Sequence, residues 1–473
     1  MTRLAPRTPL LLAIGFAWLV AMLIPLTSGA FWPIVAATDV LRDHAVHFTD
    51  DAVSVLPIRG DEIVVQPWLS ALLLKGTWEI GGVTGLVVLQ GVLAALTAAG
   101  AYLVARAHAR PAVAAAAAVA FTLLIQPSTL RTEQLALMIG VGLLLVLQGR
   151  RWWLAPVLIA LWANVHGSFV IGVAIVIAAA IGMLRAPAEG APLARRSWAV
   201  RFGLGAACVL ATLATTLGTG IFDYVRSVEG VGALAELTPI WRPMDPLGAR
   251  AISCYAALIL LVAAAIRRAR PLAARDAVAS LLPLIPVLVL LAATFTSVRY
   301  VVWFALLALP ELAATARRMP TEQQPEERSF SVSGLTVLVA LALGIAVLLP
   351  GLPIQRDFAH LGLPAQKLYR DVEESDVVFA SPEWGDYIHL RTEARIVIDA
   401  RLERYREGDL DAFLAFRDHQ DDALIRQTSP DWLILHRQTL DDSWGSLREL
   451  RRVGETDVTI EARDGDDATF AIG

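Results

Sequence analysis

The first 350 residues alternate between apolar runs and short polar connections. Because a helix needs about 20 apolar residues to cross a bilayer, this pattern predicts eleven membrane-spanning helices. They are expected near residues 9–29, 81–104, 112–127, 133–148, 153–165, 167–184, 202–219, 251–266, 277–294, 298–316 and 332–350. The runs at 133–148 and 153–165 are short, so we expect them to be re-entrant or to carry polar ends that line a cavity.

The composition agrees with a polytopic membrane protein. Of the 473 residues, 56% are hydrophobic and 18% are charged, with a mean hydropathy of +0.58, whereas about a quarter of the residues of soluble domains are charged. The net charge of −4 provides no basic stripe and excludes a nucleic-acid partner. Cys208 and Cys254 lie in apolar runs, where a free thiol behaves as a small hydrophobe, so we expect no disulfide or metal framework.

The distribution of basic residues predicts the orientation of the spans. Cytoplasmic connections carry an excess of Lys and Arg, and the alternate connections that begin with the N-terminus hold seventeen such residues against eight in the others. We therefore expect an integral protein of the plasma (inner) membrane with a cytoplasmic N-terminus. The odd number of spans places residues 351–473 outside the cytoplasm, while the Pro/Glu/Gln-rich segment 317–331 is an inner linker.

The pattern changes after Pro350, where the chain becomes strongly charged. Strands are expected at 377–380, 395–398 and 432–435, helices at 409–427 and 442–452, and alternating strands at 456–462 and 468–472. This order predicts a small extracytoplasmic α/β domain, partly parallel, with a closing hairpin. The expected domains are thus a transmembrane domain over 1–350 and an α/β domain over 351–473.

The first outer loop, residues 35–77, is unusually acidic. Asp39 follows the first span, where a partly desolvated carboxylate can act as a general base; alternatively, Thr38 and Asp39 begin a helix as its N-cap. The pair Asp50 and Asp51 could bind a divalent ion or the hydroxyls of a sugar, or could simply lie in a solvated loop. The sequence does not decide whether a metal is needed, and we assign no metal ligand.

Polar residues also interrupt later apolar runs. In the run Trp162 to Phe169, Asn164 and His166 stand at a tight turn, where polar groups need partners at membrane depth; they bind a substrate or only cap a helical hairpin. Arg299 begins an outer-side span, where its guanidinium suits a phosphate or reaches toward lipid headgroups.

Two strands of the α/β domain are followed by polar and aromatic residues. Trp384, Asp386 and Tyr387 follow the first strand, and Asp399 and Arg401 follow the second. Open α/β sheets bind ligands at the carboxyl ends of their strands, so these five residues are candidates for ligand binding. The alternative is a plain strand–helix turn with Asp399 as an N-cap.

The residues together resemble the GT-C class of polytopic glycosyltransferases, and within it the bacterial protein-mannosyltransferase-like (family 39) group. The motifs that carry the resemblance are the early acidic residue Asp39, D-x-x-S from Asp51, G-x-x-x-x-x-Q-x-W-L with Trp68, W-A-N-x-H-G-x-F from Trp162, the late outer Arg299, P-x-W-G-x-Y from Pro382 and I-D-x-R from Ile398. The chain departs from the pattern at Arg131 to Gln134, where relatives tend to have Arg-Pro-Gln, which leaves the donor sugar and the acceptor open.

The resemblance implies an inverting transfer of a sugar from a polyprenyl-phosphate donor to an envelope acceptor on the outer side. Asp39 would be the general base, and Arg299 would stabilise the phosphate leaving group. His166, Asn164, Trp68, Asp50 and Asp51 would contact donor or acceptor, and the α/β domain would select or cover the acceptor. A lipid-linked sugar donor is the only cosubstrate implied, and protein partners are not indicated.

Two other functions fit the same pattern of spans. A transporter or flippase for a lipid-linked substrate needs a cavity but no base, although we see no inverted repeat of the kind that transporters carry. A non-catalytic membrane protein of envelope assembly is the other alternative. The sequence has no nucleotide-binding loop, zincin motif or nucleophile elbow, which argues against an ATP-driven pump and the common hydrolases.

Overall fold

A computed structural model describes the chain over most of its length. The described residues are 8–24, 26, 28–43, 46–48, 51, 53–57, 63–125, 130–185, 193–229, 241–270, 280–315, 364, 366–418, 423–435, 452–453, 456–464 and 467–472. The chain forms two compact units. The first unit comprises Met1–Ile24, Val87–Ile221 and Thr238–Leu349, and the second comprises Pro25–Leu86, Phe222–Leu237 and Pro350–Gly473.

The described chain up to residue 315 is predominantly helical. Its α-helices are α1 (Thr8–Met22), α2 (Ser28–Asp43), α3 (Trp68–Arg106), α4 (Pro111–Ile125), α5 (Thr132–Gln148), α6 (Ala155–Val165), α7 (Phe169–Ala180), α8 (Trp198–Ala211), α9 (Ile221–Glu229), α10 (Ala249–Ala269), α11 (Leu284–Thr294) and α12 (Val301–Thr315). The strands β1 (His47–Phe48) and β2 (Ile63–Val64) form an antiparallel pair.

One helix among the described residues is long and apolar enough to cross a membrane. This is α3, with 39 residues, and the chain bends within it at Gly82, whose φ of 53° suits a residue without a Cβ. Eight shorter apolar helical segments have 10–17 residues. The count of eleven spans therefore stays a prediction, and the expected span at 332–350 and the linker 317–331 lie outside the described residues.

The C-terminal segment is the partly parallel α/β structure that the sequence predicts. Its elements are β3 (Val377–Ala380), α13 (Pro382–Thr392), β4 (Arg395–Ile396), α14 (Glu407–Arg417), α15 (Ala423–Thr428), β5 (Trp432–Leu435), β6 (Arg452–Val453), β7 (Thr456–Asp464) and β8 (Asp467–Ile472). The strand order is β4-β3-β5-β8-β7-β6, in which β3 runs parallel to β4 and β5. The closing hairpin of β7 and β8 is antiparallel, as expected.

Two details of this segment differ from the sequence prediction. The single helix expected over 409–427 is two helices, α14 and α15. The strand expected over 395–398 spans only Arg395–Ile396, because the chain bends at Val397 and Ile398, although the Val397 amide still donates to the Val378 carbonyl oxygen (2.9 Å). The helix expected over 442–452 lies outside the described residues except Arg452, which is in β6.

The segment 35–77 is not one continuous loop. Residues 35–43 belong to α2, and residues 68–77 belong to α3. Asp39 therefore lies inside a helix, so the N-cap alternative is wrong. The helix already begins at Ser28, and the Thr38 hydroxyl donates to the Ile34 carbonyl oxygen (3.2 Å), one helical turn earlier. The division of the chain at residue 350 stays a prediction.

Residues 53–55 cover the β4 edge of the sheet. The Ile396 amide donates to the Val53 carbonyl oxygen (2.8 Å), and the Val55 amide donates to the Ile396 carbonyl oxygen (3.0 Å). An exposed edge strand offers unpaired backbone groups to other chains. Residues 53–55 thus pair with backbone N–H and C=O groups at the edge of a sheet whose strands all come after residue 376.

Candidate functional site

The second unit contains a buried group of opposite charges, which we call the aspartate–arginine cluster. Its described members are four carboxylates and two guanidinium groups: Asp39, Asp51, Asp386, Asp399, Arg401 and Arg404. None of these side chains is more than 5% exposed. Buried charges are tolerated only when they are paired, so the geometry of the pairs decides what this cluster does.

Arg401 is the centre of the cluster. Its Nη2 lies 2.6 Å from Asp399 Oδ2, and its backbone amide donates to Asp399 Oδ1 (2.8 Å). Nη2 also lies 3.4 Å from Asp51 Oδ2. Asp39 Oδ2 and Asp386 Oδ1 each lie 3.9 Å from a nitrogen of the same guanidinium. One arginine thus holds carboxylates from α2, from the segment before β2, from α13 and from the chain after β4.

Arg404 is the second cation of the cluster and was not a candidate from the sequence. Its Nη1 forms an ion pair with Asp51 Oδ2, and its guanidinium lies 5.0 Å from the centroid of the Tyr405 ring. The Tyr405 hydroxyl in turn accepts a hydrogen bond from the Asp399 amide (3.1 Å). The spacing Arg401-x-x-Arg404 on the 3-10 turn Leu402–Arg404 was the signal that could have indicated this pair.

Tight helix–strand packing brings Asp386 into the cluster. A Cβ on Gly385 would lie only 2.8 Å from the Ile398 carbonyl oxygen and 3.1 Å from Asp399 Cα. Because residue 385 has no side chain, α13 packs directly against the chain after β4. The Ala400 amide then donates to Asp386 Oδ2 (3.1 Å). The polar groups that follow the two neighbouring strands are therefore brought together.

The environment shifts the pKa values of the cluster's side chains in different directions. Burial alone would lower the pKa of Arg401, but the charge and hydrogen bonds of Asp399, with the charge of Asp386, raise it above its ordinary value. Burial lowers the pKa of Arg404, against the opposing effect of Tyr405 and Asp39. Burial and the Asp399 charge raise the pKa of Tyr405, so the phenol stays a neutral hydrogen-bonding group.

Asp39, the expected general base, is a member of the cluster. It is 2% exposed. Its Oδ1 lies 3.4 Å from Arg42 Nη1, one helical turn along α2, and its Oδ2 faces Arg401. The Arg42 side chain is 41% exposed. Arg42 is therefore the more exposed of the two guanidinium groups paired with Asp39.

The other candidates of the second unit have structural contacts. Asp51 pairs with the two arginines, and its Oδ1 accepts from the Val53 amide (2.9 Å). Trp384 is 2% exposed. The Tyr387 ring packs edge to face against Phe31, with centroids 5.0 Å apart. Trp68 begins α3 and is half-buried, whereas Asp50 lies outside the described residues.

His389, at the end of α13, gives the second unit a pH dependence. Its Nδ1 contacts the Ala394 carbonyl oxygen (2.9 Å). Burial lowers the pKa of His389 below its ordinary value of 6.5, helped by the Arg401 charge and opposed by the hydrogen bond to Ala394 and the charges of Asp399 and Glu393. Below pH 6.5, an unfolded chain therefore takes up a proton that the folded chain does not.

The unfolding free energy is accordingly expected to fall as the pH is lowered through 6.5. The variant His389→Gln cannot bind this proton and should lose less stability than the wild type between neutral pH and pH 5. Urea unfolding of both proteins at the two pH values measures the difference. Equal losses in the two proteins would show that other groups cause the pH dependence.

His166 and Asn164 lie in the first unit at the turn between α6 and α7. The Ser168 amide donates to His166 Nδ1 (3.1 Å), which makes that nitrogen the acceptor, and the Ser168 hydroxyl lies 2.8 Å from it. The Trp162 indole donates to the same hydroxyl (3.0 Å). Asn164 Nδ2 donates to the carbonyl oxygens of Ala160 and Ala214, both at 2.8 Å. The turn is thus fixed by its own polar groups, as the hairpin alternative expects.

Trp162 anchors this turn in the core of the first unit. Its side chain is fully buried, and its ring centroid lies 5.3 Å from that of Trp303 in α12. A Cβ on Gly172 would lie 2.8 Å from the Trp162 ring, and one on Gly140 would lie 3.0 Å from it. Two glycines therefore make room for the indole, which holds the Ser168 hydroxyl beside His166.

Arg299 is held by aromatic side chains. Its guanidinium lies 4.0 Å from the centroid of the Trp241 ring and 5.0 Å from that of Tyr300, and its Nη2 donates to the Tyr300 hydroxyl (3.1 Å). Stacking of this kind leaves the edge of an arginine able to bind an anion. The charge of Arg299 acts on His166 and on Glu133, and the charge of Arg131 also acts on Glu133.

The sequence-predicted residues Arg299 and His166 therefore both lie in the first unit and are coupled through the charge of Arg299. Arg131 and Glu133, which the sequence analysis did not select as site residues, belong to the same charged group. Their position in an outer connection of the predicted topology was the available signal. Among the described residues of the whole chain, no three His, Cys, Asp or Glu side chains are grouped to hold a metal ion.

The fold is similar to crystal structures of an oligosaccharyltransferase from Archaeoglobus fulgidus. The apo form matches with a TM-score of 0.53 at 11% identity, covering 91% of this chain and 69% of that one. The same enzyme tethered to an acceptor peptide that contains the NVT sequon matches with a TM-score of 0.54 at 12% identity, covering 91% and 68%. Its complex with Zn and sulfate matches with a TM-score of 0.52 at 12% identity, covering 90% and 68%.

Comparison of the sequence itself gives no such likeness. No protein-family model and no curated protein matches it. At 11–12% identity the structural likeness shows a shared fold, and it does not single out the protein-mannosyltransferase-like group that the sequence motifs resemble.

Proposed function

We propose that this chain is a membrane glycosyltransferase of the GT-C type. It moves a sugar from a polyprenyl-phosphate donor to an envelope acceptor on the outer side of the membrane, with inversion at the anomeric carbon. The observation that carries the proposal is the fold likeness, over 91% of the chain, to an oligosaccharyltransferase that was crystallised with a tethered acceptor peptide. The motifs around Asp39, His166 and Arg299 support it.

The proposed reaction is a single displacement. An acceptor hydroxyl attacks the anomeric carbon, and the bond from that carbon to the phosphate oxygen breaks with its electron pair. The hydroxyl proton passes to the Asp39 carboxylate, and the new negative charge stays on the polyprenyl phosphate. Because Asp39 is buried, this proposal requires the acceptor to approach along the more exposed side chain of Arg42.

We assign the leaving group to Arg299. A guanidinium that is held between Trp241 and Tyr300 is pre-oriented for two hydrogen bonds to phosphate. His166 and Asn164 would orient donor or acceptor, with Trp68 and Asp50 as further contacts. Asp51 would act through its pairs with Arg401 and Arg404, and the α/β segment with Trp384, Asp386, Tyr387 and Asp399 would support the acceptor side.

Sugar transfer by isolated membranes tests the function. Membranes with the wild-type protein are incubated with labelled polyprenyl-phosphate sugars, and the label that reaches envelope material is compared with that in membranes lacking the protein. We expect transfer with the wild type and about a hundredfold slower transfer with Arg299→Gln, since removal of one group that stabilises developing charge costs about that much. The matched control is Arg242→Gln, which removes a nearby exposed arginine.

The result also separates the alternatives. If no donor gives transfer above the background, the glycosyltransferase proposal is wrong, and movement of labelled lipid across vesicles would distinguish a flippase from a non-catalytic assembly protein. If Arg242→Gln slows transfer as much as Arg299→Gln, the effect reflects surface charge and the leaving-group role of Arg299 is wrong.

A further inference from the structure

The first unit carries exposed aromatic rings beside arginines at one end of α8. The Arg201 guanidinium lies 4.7 Å from the centroid of the Trp198 ring, and the Trp198 and Phe202 ring centroids are 5.7 Å apart. The Arg196 guanidinium lies 5.8 Å from the centroid of the Trp152 ring, in the turn that precedes α6. We call Trp152, Arg196, Trp198, Arg201 and Phe202 the tryptophan–arginine patch.

Two of the three rings of this patch are largely exposed to solvent. Trp198 is 56% exposed and Phe202 is 64% exposed, and the neighbouring Trp153 is 60% exposed. Trp has an apolar body and a polar N–H group, and it is enriched where a protein meets the boundary between hydrocarbon and water. The exposure of these three rings therefore indicates a surface that meets lipid.

The charge of the patch has one sign. Residues 149–185 and 193–211, which the structure describes, contain six arginines and no Asp or Glu; Glu189 lies between these ranges, outside the described residues. One of the six, Arg185, forms an ion pair with Glu311 of α12 (2.7 Å). The planar guanidinium group matches the geometry of phosphate. Each arginine near an anionic membrane surface contributes about 1 kcal/mol of attraction, so this end of the unit favours negatively charged headgroups.

Backbone carbonyl groups position the Arg201 side chain. Arg201 Nε donates to the Arg196 carbonyl oxygen (3.1 Å), and Arg201 Nη1 donates to the Ala180 carbonyl oxygen at the end of α7 (3.3 Å). Ser197 caps the start of α8, where the helix dipole adds a partial positive charge. The Arg201 guanidinium is thus held at the start of α8, while the exposed Arg196 guanidinium lies near the Trp152 ring.

We propose that the tryptophan–arginine patch binds the phosphate headgroup of an anionic phospholipid on the cytoplasmic side of the membrane. Arg196, whose side chain is exposed, makes the main contact with the phosphate, Arg201 adds positive charge, and the rings of Trp198 and Phe202 lie among the acyl chains. This binding involves none of the residues assigned to sugar transfer, and it holds whether or not the chain is a transferase.

Lipid-dependent thermal unfolding tests the proposal. Purified full-length protein in detergent is titrated with phosphatidylglycerol, phosphatidylcholine or inorganic phosphate at constant ionic strength. We expect phosphatidylglycerol to raise the unfolding temperature more than the other two probes do. The double variant Arg196→Gln/Arg201→Gln should bind phosphatidylglycerol at least about tenfold more weakly, which follows from the loss of two charges near the lipid surface.

The control variant Arg226→Gln/Arg370→Gln changes the net charge equally, but its arginines are exposed and paired with Asp223 and Asp371. It should bind phosphatidylglycerol like the wild type. Since Arg201→Gln removes two backbone hydrogen bonds, the comparison is made between lipids within each variant, which cancels any loss of basal stability. Equal shifts with both lipids, equal weakening in the control, or a full effect of inorganic phosphate alone would overturn the proposal.

Discussion

Asp39→Asn is expected to slow sugar transfer about a thousandfold, the middle of the range that a lost general base produces. Asparagine keeps the shape of the side chain but cannot accept the proton of the acceptor hydroxyl. The fold should tolerate the change. Among the described residues, the aspartate–arginine cluster has four carboxylates and only two buried guanidinium groups. After the substitution three carboxylates remain to pair with the same two cations.

The measurement combines rate and stability. Transfer from the labelled donor is divided by the amount of folded protein, and the unfolding temperature is recorded for the same preparation. Asp371→Asn is the matched control, since it also removes one carboxylate that pairs with an arginine but lies at the surface. Unchanged transfer would show that Asp39 is not the base, and a loss that matches a loss of folded protein would make Asp39 a purely structural partner of Arg401.

Arg401→Gln is expected to lower the unfolding free energy by about 3–5 kcal/mol, the usual cost of removing one partner from a buried ion pair. The loss should be at the upper end of this range, because Arg401 is the guanidinium that contacts Asp399, Asp51, Asp39 and Asp386 together. Glutamine can replace some hydrogen bonds but none of the charge, so several carboxylates become protonated or solvated and the chain after β4 loosens.

Chemical unfolding of the purified protein measures this effect. Arg370→Gln is the control, since its pair with Asp371 is solvent-exposed and surface pairs contribute about 0–1 kcal/mol. Arg401→Lys, which retains the charge but not the planar fork, should fall between the two. If Arg401→Gln were no more destabilising than the control, the cluster would not be a source of stability for the second unit.

The sequence predicts the elements of the α/β segment better than its tertiary contacts. The strands Val377–Ala380 and Trp432–Leu435 have their predicted bounds, because each is a short apolar run with a polar residue directly before and after it. The bounds of the helices before residue 315 are harder to predict. Residues 35–43 were expected in a loop since they contain acidic residues, but the apolar run that begins before them continues as helix through Asp43.

The aspartate–arginine cluster shows what a local pattern cannot provide. Asp39, Asp51 and Arg401 were each recognised as unusual residues, yet nothing in their neighbouring sequence relates residues near position 50 to a position near 400. The periodicity of a sequence indicates which face of a helix or strand is apolar. It does not indicate which distant charged residue will pair with a charged residue of that element. The spacing Arg401-x-x-Arg404 could have indicated Arg404 as a second cation, but not its partner Asp51, which comes from a different part of the chain.

The coverage of β4 by residues 53–55 also affects the order of folding during synthesis. Ser54 and Val397, which are joined in this arrangement, are 343 positions apart. At about 5–20 residues per second, the ribosome needs roughly 17–70 s between the two. Residues 53–55 can therefore pair with β4 only after most of the chain has been synthesised. The sheet that they complete can form only near the end of translation.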